Sequence, residues 1–402
     1  MSNSITRLGS ANMYDRTVNN LAERQAKLAN LMESTSAGKR VLRASDDPVA
    51  AAQAERAYTR MDRTAADQRA LDAQVAIIKA GESTLGEANT AMQELRSLLV
   101  NAGNGSYSQT ERDALVAQMS SLRNQIAGYA NRTDSNGLAL FRGLGSAEQP
   151  LQGSSFLGQS GQTSSNANGI ASTLDGVAAF MTLPTGNGVL AVNRGAGDTG
   201  KAWTDIGTIT DPSAAAAAAS ANPPIAITFS VGADGSTRYS IAGAAAVPYK
   251  SGETINVAGM GLTITGQPAD GDSFTIGASE RSNLFSVLDQ AIDVVRNGSN
   301  SDGTTASGAL AHGVAKALAE IDTGMNRMQS VRSLAGDLLN RADTLSANLS
   351  ARSVQLEADR SAAEDVDMIT ALSELKTQQT GYSAALQSYA QIQKLSLFDY
   401  IG

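Results

Sequence analysis

Apolar residues recur at alternating four- and three-residue steps through both ends of the chain, and a two-residue alternation replaces them in the middle. Near the start, Tyr14, Val18, Leu21, Leu28 and Met32 keep the helical spacing, with Gln25 as the one polar member. The spacing returns at Leu71, Val75, Ile78, Leu85, Met92 and Leu99. Toward the other end, Leu284, Leu288, Ile292 and Val295 form one face, with Gly298 placed to end that helix. Val331, Ala335, Leu338, Ala342, Leu345, Leu349 and Leu356 then hold a heptad phase that only Arg352 breaks. A last helical segment, Val366 to Leu397, carries Ile369, Leu372, Tyr382, Leu386, Tyr389 and Ile392, with Leu395, Leu397 and Phe398 beyond.

Between these ends, residues 145–280 are rich in Gly, Ser, Thr, Asn and Ala, and the period drops to two. Ile225, Ile227, Phe229 and Val231 alternate, "GADGS" turns, and Tyr239 and Ile241 return. A second hairpin is predicted over "INVAGMGLTITGQPADGDSFTI", with Leu262, Ile264, Phe274 and Ile276. Asn136-Gly137 marks a tight turn before a short strand at Leu138–Phe141. Ser108 with Glu111 reads as a capping box, and Asp211-Pro212 as the start of one or two helical turns over the alanine run.

The expected fold is mainly α with an inserted β-rich domain. Long helices from both chain ends pair in an antiparallel, coiled-coil-like bundle, an elongated rod with the β-domain at its tip. A 50-residue helix alone spans about 75 Å. The predicted domains are terminal arms at 1–35 and 362–402, a helical rod at 36–144 and 281–361, and the insertion at 145–280.

Composition narrows the function. A net charge of -8 with no basic stripe disfavours nucleic acid, and no apolar run is long enough for membrane insertion. The N-terminus shows no secretory signal. With no Cys and one His, the chain alone is expected to offer no thiol chemistry, no Cys-His pair and no zincin site. His312 reads as a surface or packing residue, Asp365 and Asp367 as the charged start of the final helix, and "ADGDSF" as a turn without the ligands of a calcium loop. No enzyme, cofactor or metal is expected.

"SAGKRVLRASDDPVAA" poses the sharpest question. A phosphate loop needs G-x-x-x-x-G-K-[ST], but position 33 is Glu and position 40 is Arg, so the cradle and the metal-binding hydroxyl are missing. Gly38 stops one helix, while Asp46 or Asp47 with Pro48 starts the next. A plain cap does not need Lys39, Arg40 and Arg43. The mixed charge suits docking between like subunits, so Lys39, Arg40, Arg43, Asp46 and Asp47 join the apolar seam residues as interface candidates.

This stretch resembles the signature of the flagellin superfamily, and Pro48 after the paired Asp is closer to its hook-associated members. The ending "YAQIQKLSLFDYIG" is similar to the C-terminus of hook–filament junction proteins, and "SNGLALFRG" and "FLGQSGQ" resemble further family segments. The resemblance covers about 250 residues in the two arms and leaves the insertion without a match. It implies a structural role: a homo-oligomeric ring that follows hook-associated protein 1 and receives flagellin, exported by the flagellar type III apparatus with a cytoplasmic chaperone on the C-terminal arm. The terminal arms are expected to order on assembly. The rival readings are a flagellin-type filament subunit, hook-associated protein 1, a surface adhesin and an enzymatic insertion.

Overall fold

Local chemistry sets where each helix begins and ends. The computed structural model describes residues 3–104, 107–162, 169–297 and 308–401, and side chains only within 15–391. Gly298 lies outside the described residues. The helices are α1 (Asn3–Ala37), α2 (Pro48–Ala102), α3 (Gln109–Ala130), α4 (Gly176–Phe180), α5 (Pro212–Ala219), α6 (Leu284–Asn297), α7 (Gly308–Glu364) and α8 (Met368–Ile401). α1 stops at Gly38, whose φ of 70° is left-handed and free of penalty only for glycine. At α3, Ser108 accepts from the Glu111 amide while the Glu111 carboxylate accepts from the Ser108 amide, the reciprocal box that the sequence predicts. Asp211 caps α5 through the Ser213 and Ala214 amides, with Pro212 in the first turn. The alanine run is therefore two helical turns.

The chain forms two units, one of residues 1–70 and 346–402 and one of 71–345. In the first, α1 packs on α8. A side chain at Gly381 would meet Arg24, and Lys27 and Glu374 line one hollow, so the two helices run antiparallel. The early turns of α2 meet the last turns of α7, where Gln68 bonds Ser346 and Tyr58 bonds Glu364.

In the second unit most of the predicted seam positions lie in the core, with Val75 and Leu345 only half-buried. Leu71, Ile78, Leu85, Met92 and Leu99 of α2 are fully buried, and Val331, Ala335, Leu338 and Ala342 of α7 nearly so. Each large side chain so covered contributes about 1.5–3 kcal/mol. Arg332 on Glu82 (2.6 Å) and Arg96 on Asp322 (2.7 Å) fix the antiparallel register of these two helices. α3 lies on α6, with Arg123 paired to Asp289 at 2.9 Å and set 5.5 Å over the Phe285 ring.

The strand expected at Leu138–Phe141 is only a single bridge, Thr133 to Ala139. The rest of that segment turns into the helical core instead. Phe141 stands edge-on to Phe180 at 5.4 Å, and Phe180 meets Phe285 at 6.0 Å. Leu174 is seated against Gly81 of α2, where a Cβ would come within 2.4 Å of it.

The core of the insertion is built between two sheets. Its five-stranded antiparallel sheet has the order Leu190–Arg194, Ser273–Ala278, Ile225–Val231, Thr237–Ile241 and Val247–Pro248. The Ile225–Ile241 hairpin forms as predicted, with Phe229 opposite Tyr239 and Ile227 opposite Ile241. The second hairpin closes earlier than expected. Thr254–Val257 turns back at Ala258-Gly259, both at positive φ, onto Met260–Thr265, while Ser273–Ala278 crosses to the other sheet. Alternation predicted the strands, but the same apolar face fits either neighbour, and only the closed core decides between them. Leu190, Ile227, Phe229, Met260, Leu262, Ile264, Phe274 and Ile276 fill that core, and Ala215 of α5 closes it. Asp272 is buried and accepts from the Thr199, Gly200 and Ala269 amides, a turn role as expected of "ADGDSF".

Candidate functional site

The conspicuous polar cluster of the first unit joins the turn after α1 to the break between α7 and α8, residues 365–367. The turn's backbone is written by its own aspartates. Asp46 accepts from the Leu42 and Arg43 amides at 3.1 and 2.8 Å, and Asp47 caps α2 through the Ala50 amide at 3.0 Å. Pro48 then begins α2, as expected.

The main chains of the two connections are stitched together. The Arg40 and Val41 amides donate to the Glu364 carbonyl at 2.7 and 3.3 Å, and the Val366 amide donates to the Gly38 carbonyl at 3.0 Å. Lys39 and Asp365 form an antiparallel bridge across this seam. Side chains close it further. Lys39 Nζ donates to Glu364 Oε1 at 2.5 Å, Tyr58 Oη to Glu364 Oε2 at 2.9 Å, and Arg40 to the Ala363 carbonyl at 2.8 Å. Arg360 holds Asp365 at 2.8 and 3.1 Å, reaches Glu357, and lies 5.9 Å over the Tyr58 ring. At the far side Asp367 caps α8, accepting from the Ile369 amide and the Thr370 hydroxyl.

The electrostatics follow these contacts. The Glu364 bond raises Lys39, and the Glu357 and Asp365 bonds raise Arg360, so both stay cationic throughout the working range of pH. Arg360 holds Asp365 below the usual carboxylate range. Burial pushes Glu364 up, but the Lys39, Tyr58 and Arg360 bonds together outweigh it and leave it lowered. The backbone amide of Ala50, then Arg40, lowers Asp47.

Lys39, Arg40 and Arg43 thus each find a carboxylate inside the chain: Glu364, Asp47 and Glu33. Arg43 keeps 68% of its side chain exposed. Among the apolar candidates, Leu21 and Leu28 of α1 are half-buried, as is Tyr389 of α8, while Val18, Met32 and Leu386 remain exposed. Leu31 of α1 and Ala371 and Leu375 of α8 share the covered face, so that face is offset from the one read at Val18 and Met32. Tyr14, Ile392, Leu395, Leu397 and Phe398 have side chains outside the described residues. Sequence reasoning missed Tyr58, Arg360 and Glu364. No local signal marks them, since Glu364 lies 325 residues from Lys39.

His312 proves to be a packing residue, 8% exposed and 5.8 Å from the Phe274 ring. Among the described residues no group of His, Asp and Glu is placed to hold a metal, and no helix is long and apolar enough to cross a membrane. The cluster can hold two connections in fixed geometry.

Comparison with known proteins accounts for such a purely structural arrangement. The bacterial flagellin N-terminal helical region matches residues 10–146, and the C-terminal helical region matches 318–401. Flagellar hook-associated protein 3 of Escherichia coli K12 is 25% identical over 397 residues, 96% of each chain. The crystal structure of the flagellar junction protein FlgL from Legionella pneumophila is similar at 27% identity and a TM-score of 0.64, over 72% of this chain and 99% of that one. That of Xanthomonas campestris FlgL is similar at 25% identity and 0.64, over 77% and 99%. The chain therefore belongs to the flagellin superfamily, within its hook-associated protein 3 family.

Proposed function

We propose that this protein is a structural, non-enzymatic subunit of the bacterial flagellum, extracellular at the junction between hook and filament and required for motility. One observation carries the reading: similarity to a hook-associated protein 3 runs through 96% of both chains, insertion included, whereas the flagellin regions match only the helical ends. A filament subunit would share the ends alone.

The finer reading is a homo-oligomeric ring seated on hook-associated protein 1 on one side and receiving flagellin on the other. A cytoplasmic export chaperone would cover the C-terminal arm, residues 362–402, before passage through the flagellar type III apparatus. Exposed Val18, Met32, Leu386 and Arg43 support contact with neighbouring copies, because each leaves apolar or charged surface uncovered in the single chain. Lys39, Arg40, Asp46 and Asp47 serve that contact indirectly, by fixing the turn that presents Arg43. The expected domains, arms at 1–35 and 362–402, rod segments at 36–144 and 281–361 and an insertion at 145–280, remain the proposed division of labour.

Deleting the gene is the test. Hooks without filaments, with flagellin shed into the medium, are expected, and unaltered filaments would refute the role. Reversing Arg43 to Glu separates contact from folding. If Arg43 meets a neighbour, the Glu33→Arg, Arg43→Glu double swap restores the internal pair and still fails to support filament growth. Rescue by the swap would make the pair purely internal.

A further inference from the structure

The face of α7 that meets the insertion is polar where packing alone would favour an apolar stripe. Gly308, His312, Lys316 and Glu320 recur every four residues along one side of the helix. Each meets the β-domain. A Cβ on Gly308 would lie 2.4 Å from the Ala202 carbonyl, and the His312 ring stands by Phe274 in the core. Lys316 Nζ donates to Asn193 Oδ1 at 3.0 Å, and the Gly186 backbone bonds Glu320. His312 and Glu320 are 8% and 2% exposed, and His312 Nδ1 and Glu320 Oε1 are buried with no hydrogen-bond partner. The junction role uses neither group.

The charged neighbours make protonation of His312 unfavourable. Lys316 faces it from its own helix and Arg194 from the strand Leu190–Arg194, while the Thr204 and Val192 carbonyls favour the proton. Asp198 is paired to Arg194 at 3.7 Å, and Asp272 lies near Asp198, so neither carboxylate is free to serve the imidazole. Glu320 faces Lys316, and Asp293 and Gln290 of α6 share the cleft beside it. Burial, then Lys316, pushes the imidazole down to about 4, so at neutral pH it is an uncharged wedge.

We propose that this stripe is an acid-operated latch, in which protonation of His312 releases the first turns of α7 from the β-domain. The folded imidazole binds its proton more weakly than the unfolded one, near 6.5. Closure is therefore complete above about pH 6.5 and weakens as pH falls toward 4. Tenfold per unit over that window raises the open population by roughly 300-fold. Glu320 opposes this. Burial raises its carboxyl, so its contribution is present at low pH and lost as pH rises through the raised value. An E320Q background isolates the imidazole.

His312 is the only histidine, so its ring signals in the full-length protein read it without ambiguity. The experiment follows those signals and hydrogen exchange of residues 186–204 and 308–320, corrected for intrinsic rates, from pH 7.5 to 4 in E320Q. Expected are an imidazole that stays neutral below pH 5 in the closed form and exchange that climbs steeply below pH 6.5. H312Q should abolish the climb, and K316M, which removes the repelling charge, should lessen the release at pH 4. An imidazole titrating near 6.5 in the closed form would overturn the latch, as would equal release with and without His312. If H312Q does not fold, unchanged release in K316M overturns it alone.

Discussion

Replacing Glu364 by Gln tests the seam between the two connections, because the side chain keeps its size and loses only its charge. In the native protein the Glu364 side chain is 13% exposed and accepts from Lys39, Tyr58 and Arg360 at 2.5, 2.9 and 3.4 Å. A hydrogen bond to a charged group contributes about 1.5–3 kcal/mol when shielded, and an exposed ion pair about 0–1. Lys39 is 38% exposed and rehydrates readily, and Arg360 keeps Asp365 and Glu357, so the upper figures do not apply. Glutamine also retains weaker neutral bonds. The net loss is about 1–2 kcal/mol, a factor of about 5–30 in local opening. Hydrogen exchange by mass spectrometry of segments 38–42 and 365–368 reads this directly, since the Arg40, Val41 and Val366 amides are the donors across the seam. The native carboxyl is lowered, so its contribution is present above about pH 4.5 and lost as pH falls through the folded value, a dependence the variant should lack. Unchanged exchange at both segments, or equal acceleration around Leu85 and Leu99, would refute the assignment.

Phe274→Ala should cost the insertion about 3–5 kcal/mol, because the ring is 1% exposed and meets Phe229 edge-on at 6.1 Å; thermal unfolding followed by near-ultraviolet dichroism measures it. Gly143→Ala should be worse than an ordinary surface change, roughly 3 kcal/mol or more, since φ is 60° and the new Cβ would lie 1.9 Å from the Gln159 carbonyl. Denaturant titration checks it, and a midpoint within error of the parent would count against the close approach. Ser108→Ala should lose about 1 kcal/mol by removing the cap of α3, read as a shift in the same midpoint.

Much of this structure was legible because its causes are local. The spacing of Leu71, Ile78, Leu85, Met92 and Leu99 announces a buried helical face whatever covers it, and each of them is buried. Gly38, Asp47-Pro48, Ser108–Glu111 and Asp211-Pro212 mark ends through groups within a turn of themselves, and all four do so. What failed to show depends on distant partners. Ser273–Ala278 carries the alternation of a hairpin arm, yet its hydrogen bonds go to strands more than forty residues upstream. Nothing near Lys39 and Arg40 announces their bonds to Glu364 and the Ala363 carbonyl, which lie beyond any sequence window. The offset of the α1–α8 face has the same cause: Val18 and Met32 fit the period as well as Leu31 does, and only the position of α8 chooses among them.

The bond between Lys39 and Glu364 also imposes an order of events. A growing chain holds Lys39 early but cannot close the seam until Glu364, 325 residues later, has been made. Closing so long a loop is slow and comes after local helices have formed. A chain cut short before Glu364 would leave the turn after α1 without its mate. The seam thus ties the first connection of the chain to one made 325 residues later, a contact that no fragment ending before Glu364 can form.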